Sequence, residues 1–280
     1  MVETRISRFA RNDTKIKRFL LNFTMKHPVI TIAKYTFLEA IKNRLFTLGL
    51  IGIVCVFALG QFAGELAITE TRQIQGSLVG FIMRLVAVFV ISLFVITSVV
   101  REFNDKTVDM IISLPLSRYV YYLGKLSGFV LLAIIFALLL CLPLLLYSEF
   151  SQVIFWALSL MCELFIIIAL CLLCLFTFGN ITTAFTVVIA FYLLARSIST
   201  IQLLSRSPIL ESTALSQQFM NKTIDLIAYV LPDLSAFTRT DWIVYGTGNT
   251  GDLGGIVIQT VIYTVLLSGA ALFDLYRKNF

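Results

Sequence analysis

The stretch "GSLVGFIMRLVAVFVISLFVITSVV", residues 76–100, carries a single charge, Arg84, and then gives way at once to "REFNDKTVDMIISLPLSR", residues 101–118. At about 1.5 Å of rise per residue, the first part is long enough as a helix to cross a hydrocarbon layer of roughly 30 Å. Five more runs of this kind follow the same rule, at roughly 45–66, 119–147, 152–178, 181–203 and 255–275. They are too long and too uniformly apolar for the alternating strands of a membrane barrel. Composition agrees: 59% of the 280 residues are hydrophobic, 14% are charged, and the mean hydropathy is +0.93. A soluble domain carries about 25% charged residues. The sequence therefore predicts an all-α polytopic membrane protein with six transmembrane helices.

Basic residues orient it. Residues 1–44, the 101–125 connection and the terminal "RKNF" hold 16 of the 22 Lys and Arg residues. Arg72, Arg206, Lys222 and Arg239 lie on the other side, and Arg84 and Arg196 fall within apolar runs. The positive-inside rule places both termini in the cytoplasm, as expected of a multi-pass protein of a bacterial inner membrane. The net charge of +6 is then mainly a topology signal, and with no groove-reading module beside it, no nucleic-acid partner is expected.

Residues 1–28 read as a basic cytoplasmic segment and residues 29–280 as the membrane domain. No short apolar core ending in small residues marks a cleaved leader in the first 28 positions. "ISRFARNDTKIKRFLLNF" suits either a segment lying on anionic lipid or a solvated tail. After it, Ile30, Ala33, Phe37, Ile41 and Leu45 recur at three to four residues, with Lys34, Lys42 and Asn43 on the other side, so an interfacial helix is expected before span one. The alternative is a first span that simply emerges from the bilayer.

The chemistry-bearing residues are sparse. Cys55, Cys141, Cys162, Cys171 and Cys174 all sit in apolar runs, where thiols pack as small apolar groups. The Cys171/Cys174 spacing lacks a second pair or a nearby His, and His27 is the single histidine, so no metal site is expected. There is no Gly-rich loop ending in Lys-Ser or Lys-Thr, hence no phosphate cradle of the P-loop kind. No catalytic residue and no cofactor site are expected in this chain.

Within residues 101–118, Glu102, Asn104, Asp105, Lys106 and Asp109 gather on one side of a short helix, and Val108, Ile111, Ile112 and Leu114 on the other. Pro115 ends it, because proline lacks an N–H and disfavours a helical residue before it. Such a helix fits a groove on a cytoplasmic partner or lies on the headgroups; periodicity alone leaves both open.

The residues Glu102, Thr107, Leu114, Pro115, Ser117, Arg118, Gly124 and Lys125 resemble the cytoplasmic signature of ATP-binding-cassette (ABC) permeases of the type-2 export class. "AKYTFLEAIKNRLF" is similar to that family's interfacial helix, and "YVLPDLSAFTRTDWIVYG" resembles a late Leu-Pro-Asn-Leu-x-x-Phe-Asn element, with Asp233 and Thr238 where the element has Asn. Those two positions receive no role. Permeases of the multi-copper enzyme maturation type are among the similar proteins. The resemblance implies a coupling helix between spans two and three that docks into a cytoplasmic ATPase, which binds the ATP and Mg²⁺, and a second copy of the chain as partner. It further implies that Glu102 and Arg118 contact the ATPase by charge, that Ile111, Ile112 and Leu114 fill its groove, and that Pro115 fixes the helix end.

Arg84, Glu163 and Arg196 lie within spans two, four and five, at depths of roughly 9, 16 and 12 Å from the outer ends. Charges at such depths need partners. Glu163 is expected to pair with one of the arginines, the alternatives being snorkelling or an anionic substrate route. The outer region 204–254 is too long for a bare connection. Its stripe of Ile224, Ile227, Ala228 and Leu231 predicts an amphipathic helix on the outer surface, followed by a Gly-rich turn, "GTGNTGDLGG", into span six. It would gate an exit, receive a periplasmic partner, or cap the bundle. The expected function is the permease of an ATP-driven exporter; the alternatives are a non-transporting coupling protein that acts on an extracytoplasmic partner, and a secondary transporter.

Overall fold

The computed structural model describes residues 28–66, 71–105, 117–206 and 215–277. Among them every regular element is helical: α1 (Pro28–Lys42), α2 (Arg44–Leu66), α3 (Thr71–Asn104), α4 (Arg118–Leu144), α5 (Phe150–Phe178), α6 (Ile181–Arg206), α7 (Leu215–Val230), a 3₁₀ turn (Leu234–Ala236), α8 (Thr240–Tyr245) and α9 (Thr250–Arg277). Six of these are long and apolar enough to cross a membrane, namely α2, α3, α4, α5, α6 and α9. Their alternation defines a basal end, which bears the connection from α3 to α4, and a distal end, which bears α7 and α8.

Burial is uneven. In the most apolar stretches of α3 and α5, 67% and 72% of residues are buried within the chain, against 22% in α2, α6 and α9. Two helices thus form a core that the others surround. Close approach is made by small residues at i and i+4, as expected where lipid offers no hydrophobic drive to association. A Cβ on Gly60 of α2 would lie 2.3 Å from Val79 Cγ2 of α3, and one on Gly128 of α4 would lie 2.9 Å from the Ala33 carbonyl of α1. Gly124 and Gly128 therefore seat α1 against α4 through Ile32, Ala33 and Thr36. This redirects the expected apolar stripe of α1: Ile30 and Ile41 are exposed, while Thr36 and Ala40 are buried. The small side faces protein.

The break between α1 and α2 falls at Asn43, whose Oδ1 accepts from the Leu45 N–H at 3.1 Å, as an N-cap side chain does. Helix α7 lies against α6, with Ile224, Ala228 and Leu231 half-buried and Phe219 and Tyr229 exposed. The outer region holds one feature that the sequence did not show and one that corrects an expectation. The segment after α7 enters the bundle, with Leu234, Phe237, Thr238 and Trp242 each at most 1% exposed. Gly76 and Gly80 of α3 make room for it, since a Cβ there would stand 3.1 and 2.7 Å from Ile243. And the Gly-rich stretch is a turn only as far as Asn249; from Thr250 on it is the first turns of α9, where Gly251, Gly254 and Gly255 face open space.

Candidate functional site

Among the described residues, charged side chains gather with their partners at two places. At 34 residues α3 is about 51 Å long, well beyond the hydrocarbon thickness, so its C-terminal end carries Glu102 past the basal boundary. There Glu102 Oε1 is paired with the Lys125 ammonium, and Glu102 Oε2 accepts from the Tyr121 hydroxyl at 2.9 Å. The Lys125 and Glu102 side chains are 4% and 15% exposed, so water competes little for the pair. Ser98 Oγ donates to Glu39 Oε1 at 3.3 Å, which adds α1 to the same knot.

Beyond the connection, Ser117 precedes α4 in extended conformation and its carbonyl accepts from the Val120 N–H at 2.9 Å. Arg118 Nη1 donates to the carbonyls of Leu275 and Tyr276 at 2.9 and 3.0 Å, and its guanidinium lies 5.9 Å from the Tyr276 ring centroid. Those carbonyls belong to the last turn of α9, where free acceptors and the helix dipole favour a cation. One residue earlier, Asp274 Oδ2 accepts from Thr177 Oγ1 of α5 at 2.6 Å. Glu102 and Arg118, expected at a partner's surface, thus both have bonds inside the chain, and these fix the two ends of the connection to α4 and α9. Thr107, Ile111, Ile112, Leu114 and Pro115 lie outside the described residues.

The second gathering is in the distal half of the bundle and centres on Thr238. Arg84 Nη1 donates to the Thr238 carbonyl at 3.1 Å. Arg196 Nη1 donates to the Leu234 and Phe237 carbonyls, the latter at 3.0 Å, and lies 3.7 Å from Glu163 Oε1. Thr238 Oγ1 donates to Glu163 Oε2 at 2.7 Å and faces both arginines at 3.4 Å, while the Thr238 N–H donates to Ser159 Oγ at 2.8 Å. Of the two arginines, the ion pair belongs to Arg196; Arg84 reaches backbone instead.

Thr238 has φ +45°, a left-handed conformation that β-branched residues rarely adopt and that costs on the order of 1–3 kcal/mol. It persists because its N–H, carbonyl and hydroxyl are all held. Asp233 fixes the preceding 3₁₀ turn, with Oδ1 accepting from the Ser235 N–H at 3.1 Å. The sequence reading gave these two positions no role. The available signal was their polarity in an otherwise apolar element, together with Asn, a residue at ease at positive φ, in the resembled pattern.

Between α2, α3 and α6 lies an apolar groove of about 420 Å³, lined among others by Leu48, Gly52, Val88, Phe89, Tyr192 and Leu193. Tyr192 belongs to its lining and also neighbours Glu163 and the two arginines of the charged cluster.

Comparison with family models matches residues 22–273 to the one described as "ABC-2 family transporter protein". Comparison with curated proteins finds no match.

Proposed function

The chain belongs to the ABC-2 transporter family and is a multi-pass membrane permease subunit of an ABC transporter, and from that premise we propose that it serves an exporter driven by a separate cytoplasmic ATPase. The ATPase binds the ATP and Mg²⁺. This chain binds neither and hydrolyses nothing by itself. Two copies pair in the inner membrane with both termini in the cytoplasm, each copy presenting residues 101–118 to one ATPase.

The observation that carries this reading is the double anchoring of that connection. Glu102 is tied to Lys125 and Tyr121 at its entry, and Arg118 to the end of α9 at its exit. An ATPase that pulled on the intervening residues would therefore move α3, α4 and α9 together rather than bend a slack loop. The docking energy itself falls to Ile111, Ile112 and Leu114, with Pro115 setting the helix end, while Glu102 and Arg118 position the segment from behind.

The test is co-expression with the cognate ATPase, followed by native mass spectrometry and ATPase assay. Two permease and two ATPase chains are expected, with hydrolysis dependent on the ATPase chain. Hydrolysis by this chain alone, or a fully active complex with one permease, would contradict the proposal.

A further inference from the structure

The arrangement of the distal charges about the apolar groove points to a ligand site. Helix α3 runs from distal to basal, so Arg84 stands one turn distal of Val88, which lines the groove. Helix α6 runs the opposite way, so Arg196 stands one turn distal of Leu193 and two turns distal of Ile189, on the same face. Both arginines thus top the same end of the groove. Tyr192 joins the two regions, since it lines the groove while its hydroxyl lies in the field of Glu163, Arg84 and Arg196.

The charges do not balance. Two guanidinium groups share one buried carboxylate, Glu163, with the exposed Asp233 adding a weaker attraction at Arg196, and their other contacts are neutral: the carbonyls of Leu234, Phe237 and Thr238, the Thr238 hydroxyl and, for Arg84, the Phe81 ring with its centroid 5.2 Å away. Arg84 Nε is buried and has no hydrogen-bond partner among the described residues. At this depth in hydrocarbon an uncompensated cation is costly, and an anion able to take two guanidinium donors would satisfy it better than an amide carbonyl does. The carbonyls themselves sit on a segment held in place through a strained residue, Thr238. They occupy the positions that the oxygens of an anion would take.

We propose that Arg84, Arg196 and the α2/α3/α6 groove form a binding site for one anionic amphiphile, its alkyl chain in the groove and its phosphate-class head at the arginines, in place of the Leu234–Thr238 carbonyls. The head then points to the distal surface and the chain to the middle of the membrane, the orientation of a lipid in the distal leaflet. The exporter reading is needed only to call this amphiphile the substrate class; the binding belongs to this chain alone.

The test uses the purified chain in phosphatidylcholine nanodiscs, titrated with hexadecyl phosphate, with neutral hexadecyl glucoside and with inorganic phosphate. The two tryptophans of the chain, Trp156 and Trp242, are both buried, and Trp242 lies on α8 just beyond Thr238, so intrinsic fluorescence reports on the segment to be displaced. Hexadecyl phosphate is expected to give a saturable change at a concentration about tenfold lower than the glucoside, and inorganic phosphate none. Arg84→Gln and Arg196→Gln should each weaken the response about tenfold. Gly52→Leu, remote from the charges, should weaken it by filling the groove. Thr238→Val should tighten it several-fold, because it loosens the competing segment; a merely structural role gives no such gain.

Equal response to both heads would mean a lipid-facing surface without a site, and a response to inorganic phosphate as tight as to hexadecyl phosphate would mean an anion site without the groove. Either result overturns the proposal, as does absence of any response in the wild type, or a groove covered by a second copy that excludes the probe. Loss of ATPase capture with probe binding intact would remove the exporter reading and leave this site standing.

Discussion

The basal and distal polar clusters solve the same problem by opposite means. At the basal end, charges meet a single side chain or the open carbonyls of a helix terminus: Glu102 with the buried Lys125, Arg118 with α9. At the distal end, Arg84 and Glu163 are 3% and 0% exposed, and the arginines are satisfied largely by carbonyls of a segment that folds back into the bundle. Each basal charge meets its own partner, whereas the distal charges share one segment and one residue, Thr238. Rigidity at the basal end is therefore local and tolerant, and at the distal end collective and brittle.

The sharpest break would come from Glu163→Gln, which removes the buried carboxylate beside two arginines and should cost about 3 kcal/mol or more, read as a lower melting temperature. Adding Arg196→Gln should restore part of the loss, and adding Arg84→Gln should restore less, because Arg84 bonds to Thr238 and not to Glu163. An unchanged melting temperature in the single variant would show that the distal charges are solvated and that the contrast is false.

Thr238→Val should cost about 2 kcal/mol, since Glu163 and both arginines lose the hydroxyl between them. Thr238→Asn should keep most of the stability, because Asn accepts positive φ and its amide both donates and accepts. If Val and Asn melted alike, the backbone of residue 238 would be fixed by packing rather than by these bonds.

How far the sequence revealed each cluster follows from the same difference. Lys125 lies 23 residues after Glu102 across one connection, so the signature residues fell in one quotable stretch. The distal partners lie 154 residues apart for Arg84 and Thr238, and 38 and 41 for Arg196 with Leu234 and Phe237, and the acceptors are carbonyls, which every residue type has. No pattern of side chains announces a carbonyl. The six spans were legible because apolar length is a one-dimensional property, whereas the entry of residues 234–243 into the bundle depends on Gly76 and Gly80 of a helix far away in sequence. The inward face of α1 was not legible for the same reason: its apolar stripe indicates lipid as readily as protein, and the glycines of α4 decide which side docks.

Packing offers a third comparison. Gly128→Val should cost roughly 1–3 kcal/mol, because its side chain would meet the Ala33 carbonyl and Thr36. Gly254→Ala, in open space on α9, should change stability by less than about 0.5 kcal/mol. Equal effects would mean that α1 is not seated on α4.

At the basal end, Glu102→Gln should cost about 1–2 kcal/mol, less than Glu163→Gln because Gln still accepts from Tyr121, and the loss should change little in high salt because the pair is shielded from water. The Glu163→Gln cost should be insensitive to salt. A Glu102→Gln loss that shrank strongly in high salt would show that water reaches the basal pair after all.

The central claim, that residues 101–118 couple this permease to an ATPase, is tested most directly by capture of the co-expressed cognate ATPase on the Ile112→Asp/Leu114→Asp variant, with membrane insertion measured alongside. Normal insertion with capture reduced about a hundredfold or more, several kcal/mol of docking, is the expected result. Normal insertion with capture at the wild-type affinity would contradict the account and leave the connection as a loop resting on the headgroups.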